Sequence, residues 1–299
     1  MSSSVDQVVS GVDDGVSTDI FDRTTWVIFD VCSQLFAMPS EYVREMVLLP
    51  DVTRVPKAGE NFRGVINLRG KVLPVLDLRK RLGFKTVTQE VEELVELLKA
   101  WLVDHENCLK ELDACIKENR EFKMQRDPTK CAFGKWYNSF KTDNMLLAQQ
   151  LKRFDSPHRT IHATADLAFG MVESGRREDA IALLEETRSG TLAILVGLFA
   201  DTISLIRTNT KEISVVLESL DHHMAATVDR VESVEELKPG TRQNISEAMG
   251  MTYDEYISGV ARRKRDDAIV LLLDPVKILR QDIIPAEAFG QMSAGQGES

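Results

Sequence analysis

The sequence predicts a multidomain α+β fold in which two β-rich stretches flank a bundle of helices. Three observations carry this reading. Apolar residues alternate near both ends, which is the two-residue period of a half-buried strand. They recur at helical spacing through the middle. The middle also holds His105, Cys131, His158 and His162, three of the five histidines and one of the four cysteines of the chain.

The β character begins at Trp26, Ile28, Leu35 and Ala37, with a hairpin turn expected at Ser33-Gln34. Cys32 is expected as a buried strand residue. Val65 to Leu76 reads as two short strands joined by a tight turn at Arg69-Gly70-Lys71. Pro74 there suggests an edge or a bulge, because it cannot donate to a ladder. Asp77 starts a short helix that ends at Gly83.

From residue 85 the period changes. Leu94, Leu98, Trp101, His105, Cys108, Leu112 and Cys115 are spaced 4, 3, 4, 3, 4, 3, a heptad seam that turns His105 toward other helices. Asp127-Pro128 breaks it, and Cys131 to Phe140 forms a compact piece. Ser156-Pro157 reads as a helix start, after which His158, His162, Ala165, Phe169 and Val172 share a face up to Gly175. With the Asp143–Phe154 portion and one long amphipathic stretch from Arg177 to Arg207, residues 85–210 make a four-helix bundle with a short extra turn. The β period then returns, with strands at Ile213–Leu217, Met224–Val231, Tyr256–Ala261 and Ile269–Leu273. Residues 1–23 and 285–299 are polar tails expected to be disordered.

Bulk properties narrow the class. The chain has 299 residues, 43% hydrophobic and 28% charged, with a net charge of −10. That acidity argues against nucleic acid or an anionic membrane as main partner. The basic run Arg262-Arg263-Lys264-Arg265 is followed at once by Asp266-Asp267 and reads as a solvated turn, as does His222-His223. The N-terminal residues lack the basic start and apolar core of a signal peptide. Thr191 to Ala200, the most apolar stretch, is too short to cross a bilayer. The four cysteines show no framework spacing and are expected to be reduced, in a cytoplasmic setting.

Three imidazoles and one thiolate form the ligand set of a closed tetrahedral zinc site. Histidines on a buried seam can equally be satisfied core residues, since a buried imidazole demands a hydrogen bond or a ligand but not a metal. Four protein ligands leave no position for an activated water. His158-Arg159-Thr160-Ile161-His162 lacks the glutamate of a zinc peptidase, and no nucleophile–base pair or phosphate loop is visible. The expectation is a protein that is not an enzyme.

Two resemblances extend this reading. Val43-Arg44-Glu45-Met46, Arg63-Gly64-Val65-Ile66-Asn67-Leu68-Arg69-Gly70, Pro74-Val75-Leu76-Asp77-Leu78-Arg79, Val228-Asp229-Arg230-Val231 and Tyr256-Ile257-Ser258-Gly259-Val260-Ala261 resemble the CheW family of chemotaxis coupling proteins. The resemblance implies paired SH3-like β-barrels split over residues 24–84 and 211–284. It implies an adaptor that couples chemoreceptor cytoplasmic tips to the histidine kinase CheA at chemoreceptor arrays. It also implies receptor binding through Val43, Glu45 and Arg69; without it, Glu45 and Arg69 read as an exposed ion pair. Family members pass from the first barrel to the second by a short connection, and here residues 85–210 are expected to intervene. Gly240–Met251 also departs from the pattern.

His105, Cys131-Ala132-Phe133-Gly134-Lys135-Trp136, His158 and His162 resemble the chemoreceptor zinc-binding domain, abbreviated CZB. That resemblance implies a four-helix bundle holding zinc through those three histidines and Cys131, sensing of zinc or of oxidants such as hypochlorous acid, and pairing of bundles as a homodimer. Cys108 stands where the family usually has tryptophan. It and Cys115 are read as core thiols rather than redox partners. The alternative is a bundle whose zinc is purely structural or serves dimerisation.

Overall fold

A computed structural model describes residues 24–56, 58–219, 223–239 and 254–279. The expectations for residues 1–23, 285–299, Gly240–Met251 and His222 lie outside the described residues. The chain divides into two compact units, residues 1–86 with 211–299, and residues 87–210.

In chain order the first unit contributes β1 (Thr25–Val31), β2 (Gln34–Pro39), β3 (Val43–Leu48), β4 (Phe62–Leu68), β5 (Lys71–Asp77) and α1 (Leu78–Arg81). The second unit supplies α2 (Val87–Glu118), α3 (Ala132–Ser139), α4 (Met145–Lys152), α5 (Asp155–Glu173), α6 (Arg177–Thr187) and α7 (Ala193–Thr208). The first unit resumes with β6 (Ile213–Glu218), β7 (His223–Val228), β8 (Arg230–Pro239), β9 (Ile257–Arg263), β10 (Ile269–Leu273) and α8 (Pro275–Ile278).

The strands form a closed barrel in the order β1-β2-β10-β9-β8 and a five-stranded sheet in the order β3-β6-β7-β5-β4. A bridge between Thr53 and Val65 carries the chain beyond β3 across to β4 and draws that sheet toward closure. Each layer therefore uses strands from both ends of the sequence. This corrects the expected position of the helical insert. It does not join one barrel to the other; it leaves after β5 and returns at β6, two strands of the same sheet.

Alternation explains how the two layers share a core. Val27, Phe29 and Val31 of β1 and Leu271 and Leu273 of β10 cluster with Leu76, Val215, Leu217, Ala226 and Val228. The intervening Trp26, Ile28, Val270 and Leu272 cluster inside the closed barrel. On β6, Val216 likewise joins the other sheet's own interior with Ile66, Val75 and Ala225. Successive side chains point to opposite faces, so strands buried on both faces read as near-continuous apolar runs.

The turns account for several departures from expectation. The first hairpin turns at Cys32-Ser33, one residue earlier than the pattern suggests, with φ of 54° and 63°. Cys32 is thus a half-buried turn residue, not a strand residue, and its N–H donates to Asp229 Oδ2 at 2.8 Å. Asp229 also ends β7, so the single strand expected over Met224–Val231 is two. Pro74 is tolerated inside the sheet because β7 pairs with β5 only from Val75 onward. Gly64, at φ 143°, is required by the Thr53 bridge: a Cβ there would lie 2.2 Å from the Thr53 carbonyl oxygen. In the basic turn Arg262 pairs with Asp267, Arg263 with Asp266 and Lys264 with Glu236, so its charge is locally neutralised.

Ion pairs tie the segments on either side of the insert. Arg63 on β4 donates to both carboxylate oxygens of Glu212, just before β6. Arg79 of α1 makes a bidentate pair with Asp229, through Nε at 2.6 Å and Nη2 at 2.7 Å.

In the second unit the seam of α2 is broader than a heptad. Val95, Leu109 and Ile116 are buried beside Leu98, Trp101, His105, Cys108, Leu112 and Cys115, whereas Leu94 is only partly buried. α6 and α7 run as one helix through a π-helical turn at Arg188–Leu192. Among the described residues, Arg177–Thr208 is long and apolar enough to cross a membrane by length and composition alone, which the shorter run in the sequence did not suggest. Its Leu184, Leu195, Leu198, Phe199 and Ile206 are buried in the core of the helical unit.

Arg79→Ala leaves Asp229 without its charge partner in a mostly buried position. Urea denaturation should show a loss of about 3 kcal/mol; a change within error of zero would show that the pair contributes nothing to the fold.

Candidate metal centre

His105 comes from the middle of α2, His158 and His162 from successive turns of α5, and Cys131 from the residue that caps α3. Their ligand atoms all lie within 4.8 Å of one another. The three imidazoles are 3–4% exposed, and Cys131 is half-buried.

The backbone fixes how the rings face. His105 Nδ1 lies 2.5 Å from the Trp101 carbonyl oxygen, and His162 Nδ1 lies 3.1 Å from that of Gln125. A carbonyl oxygen only accepts, so each Nδ1 carries the proton and each Nε2 is left with a lone pair. Both Nε2 atoms are buried and have no hydrogen-bond partner. A buried acceptor left unpaired costs about 1–3 kcal/mol, and here two point into one cluster. His158 Nε2 sits 3.3 Å from Cys131 Sγ, close to the ~3.5 Å edge of a tetrahedral site built on ordinary Zn–N and Zn–S bonds.

Cys131 is placed by local structure. It is the N-cap of α3, its Sγ accepting from the Gly134 N–H at 3.1 Å. That contact demands glycine: a Cβ at 134 would lie 1.8 Å from the Pro128 carbonyl oxygen and 3.3 Å from Cys131 Sγ. Phe133, the next residue of the cap, packs its ring edge-on against His158 at 4.9 Å and against His105 at 5.9 Å.

Electrostatics follows from burial. Burial, then the neighbouring His105 and His162, pushes His158 from its ordinary 6.5 to about 3. Burial also lowers His105 and His162. The imidazoles are therefore neutral, the form that binds metal. Burial raises the Cys131 thiol, opposed by the N–H groups of Gly134 and Phe133. A dication among these atoms reverses that last preference, so metal uptake releases a proton. The donor set contains no carboxylate and supplies four protein ligands. The residues fit a structural zinc ion in number, type and protonation.

Beside the cluster lies a cavity of about 330 Å³ lined by Asp104, His105, Cys108, Met124, Cys131 and His162. Burial pushes the Cys108 thiol up to about 11, and Cys131 adds to the shift. A larger cavity of about 650 Å³, near Tyr137 and Lys152, holds no histidine or cysteine.

The other expected site residues lie in the β unit. Val43 opens β3 and pairs with Leu217 of β6, while Glu45 pairs with Val216 across a register shift. Arg69, at φ 53° in the β4–β5 turn, reaches Glu45 at 2.8 Å. The Arg69 side chain is 79% exposed and that of Glu45 26%. Sequence reasoning did not find the carbonyls of Trp101 and Gln125, because a backbone acceptor leaves no residue signature.

The described residues form two β layers and a helical insert whose three histidines and one cysteine make a candidate metal site. The CheW-like domain family matches residues 25–100 and 191–282, and the chemoreceptor zinc-binding domain matches residues 105–169 between them. The first match covers more than half of the chain, which belongs to the CheW-like family with a zinc-binding domain inserted. Its match runs into α2 and α7, which the structure places in the helical unit.

Among curated relatives, the chain is 33% identical over 67 residues to the chemotaxis protein CheW of Thermotoga maritima, covering 22% of this chain and 44% of that one. It is 34% identical over 87 residues to CheW of Bacillus subtilis, covering 27% and 56%. The chain spans about half the length of these relatives. Among solved structures, the scaffolding protein TtCheW of Thermoanaerobacter tengcongensis aligns with a TM-score of 0.39 and 13% identity, over 88% of this chain and 92% of that one.

Two outcomes test the site. Gly134→Ala should abolish stoichiometric zinc in purified protein while far-UV circular dichroism keeps the helices; full zinc content would remove the argument from the cap. For the metal-free protein, the unfolded chain binds protons on these histidines at higher pH than the folded one. Stability of the helical unit should therefore be full above about 6.5 and fall as pH drops from 6.5 toward 3, the two values for His158. A flat profile across that window would contradict it.

Proposed function

We propose that this chain is a cytoplasmic chemotaxis adaptor that couples chemoreceptor tips to the histidine kinase CheA, and that its helical insert senses zinc or oxidants through one bound zinc ion. The observation that carries the sensing half is the pair of buried, partnerless Nε2 atoms of His105 and His162 facing Cys131 and His158. When bound, zinc supplies a Lewis acid that holds the thiolate and the imidazoles together. Cys131 is the exposed edge of the site. Its thiolate is the group an oxidant such as hypochlorous acid attacks, and its loss leaves three imidazoles and a loosened bundle.

The coupling half rests on membership of the CheW-like family and on where the insert enters. Both of its ends join one sheet. β6, the strand it feeds, pairs directly with β3, which carries Val43 and Glu45. Arg69 stands beside Glu45 in the same sheet. A change in the helices is thereby delivered to the strand next to the proposed receptor-binding surface. The helical bundle is also the surface through which two copies pair, and the adaptor sits at chemoreceptor arrays.

A second reading has its own support: four buried protein ligands are the pattern of a closed structural site, which staples the bundle without sensing anything. Reconstituted receptor–kinase assays separate the two. The sensing reading expects kinase output to differ between zinc-loaded, chelated and hypochlorous-acid-treated adaptor. Equal output in the three states would leave only the staple. Arg69→Glu, which reverses the charge beside Glu45, should weaken receptor pull-down about tenfold, a shift of about 1.4 kcal/mol, with zinc content unchanged.

A further inference from the structure

Cys108 has no role in the ligand set, yet it lines the same cavity as Cys131, His105 and His162. It follows His105 on α2 by three residues, a spacing that puts both side chains on one face about 5–6 Å apart at Cβ. A ring nitrogen of His105 is itself within 4.8 Å of Cys131 Sγ. Cys108 is 7% exposed, and Cys131 is the more accessible of the two.

From this geometry we infer that Cys108 is the resolving thiol for Cys131, and that oxidation of the site ends in a Cys108–Cys131 disulfide. The inference rests on the oxidant-sensing reading above and adds a second, specific residue to it.

The chemistry balances with hypochlorous acid as oxidant. Cys131 sulfur attacks chlorine, an S–Cl bond forms and hydroxide leaves. Cys108 sulfur then attacks Cys131 sulfur. The S–S bond forms, chloride departs with the S–Cl electron pair, and the Cys108 proton goes to water. Two electrons pass from the sulfur pair to chlorine. A disulfide needs its Cα atoms about 5.5 Å apart. Cys131 ends an irregular run after α2 rather than lying inside a helix, and the cavity of about 330 Å³ gives its sulfur space to move toward α2.

The other cysteines are placed differently. Cys115 lies two helical turns beyond Cys108, and its sulfur contacts Glu111 Oε1 at 3.5 Å and the Glu121 carbonyl at 3.4 Å. Cys32 belongs to the β unit.

A resolving thiol changes what oxidation means for the site. A Cys131 without a partner proceeds to sulfinic and sulfonic acids, which thiols do not reverse. Captured as a disulfide, it is returned by thiol reductants and the ligand set is restored.

The experiment uses the zinc-loaded full chain, its Cys108→Ala and Cys108→Ser variants, and graded hypochlorous acid. Zinc release is followed with a chromogenic chelator. Free thiols are blocked, and unreduced digests are mapped by mass spectrometry. Each sample is then treated with dithiothreitol and offered zinc again. Expected are equal zinc content of all three proteins before oxidation, a Cys108–Cys131 linked peptide in the unsubstituted chain, and recovery of its zinc after reduction. Both variants should release zinc but lose that recovery, with Cys131 found as sulfinic or sulfonic acid. Zinc released with no linked peptide, or equal recovery in all three proteins, overturns the role of Cys108 and leaves the sensor reading standing. Zinc retained with Cys131 unmodified overturns both.

Discussion

Two imidazole nitrogens without partners set the terms for the helical unit. His105 and His162 are turned by backbone carbonyls so that each presents a buried Nε2 lone pair with no protein partner. Aromatic rings pack beside them: Phe133, Phe154 and Phe199 contact one another at ring separations of 5.0–5.2 Å. Such a core leaves two acceptors that a Lewis acid would satisfy. The cap of α3 brings the Cys131 sulfur into the same cluster, and Gly134 lets that cap approach Pro128. The order of dependence runs from the unpaired nitrogens to the cap, and from the cap to the glycine.

The β unit is governed by interleaving. Neither layer is built from one side of the insert, and the pairings that close them, β1 with β8 and β5 with β7, join strands distant in sequence. The Arg79–Asp229 pair adds charge beside the β5–β7 junction, and the Arg63–Glu212 pair links β4 to the start of β6. Because β5 and β6 belong to one sheet, the helices interrupt a barrel rather than separate two. That is a different mechanical situation: a disturbance at the insert falls on a strand already hydrogen-bonded to β3.

Much of this was legible in the chain, and the exceptions share a cause. The candidate ligand residues stood out because histidine and cysteine are rare in this chain and His158 and His162 are at helical spacing. The strands Ile213–Leu217 and Ile269–Leu273 were legible as apolar runs. What no local pattern carries is pairing. The position of the insert within a barrel depends on β7 lying between β6 and β5, a contact between distant residues. Met224–Val231 reads as continuous because Asp229 resembles any solvent-facing strand residue; only its partners Arg79 and Cys32 mark it as a corner. Cys32 misled for the opposite reason, since its left-handed backbone is imposed by the hairpin and not signalled by the side chain.

The interleaved strands also set an order of events on the ribosome. When β1 to β5 have emerged, the β1–β2 and β4–β5 hairpins can pair, but the strands that complete both layers, β6 to β10, do not yet exist. The helical insert is a compact unit drawn from one continuous stretch of chain, residues 87–210, so it can mature while the barrels cannot. Its two ends are held near each other by the Glu92–Arg207 pair between α2 and α7. Once formed, it turns a long connection between β5 and β6 into a short effective one, and the entropy of closing that loop has been met before the barrels need it. The inserted helices thereby ease the assembly of the β unit that hosts them.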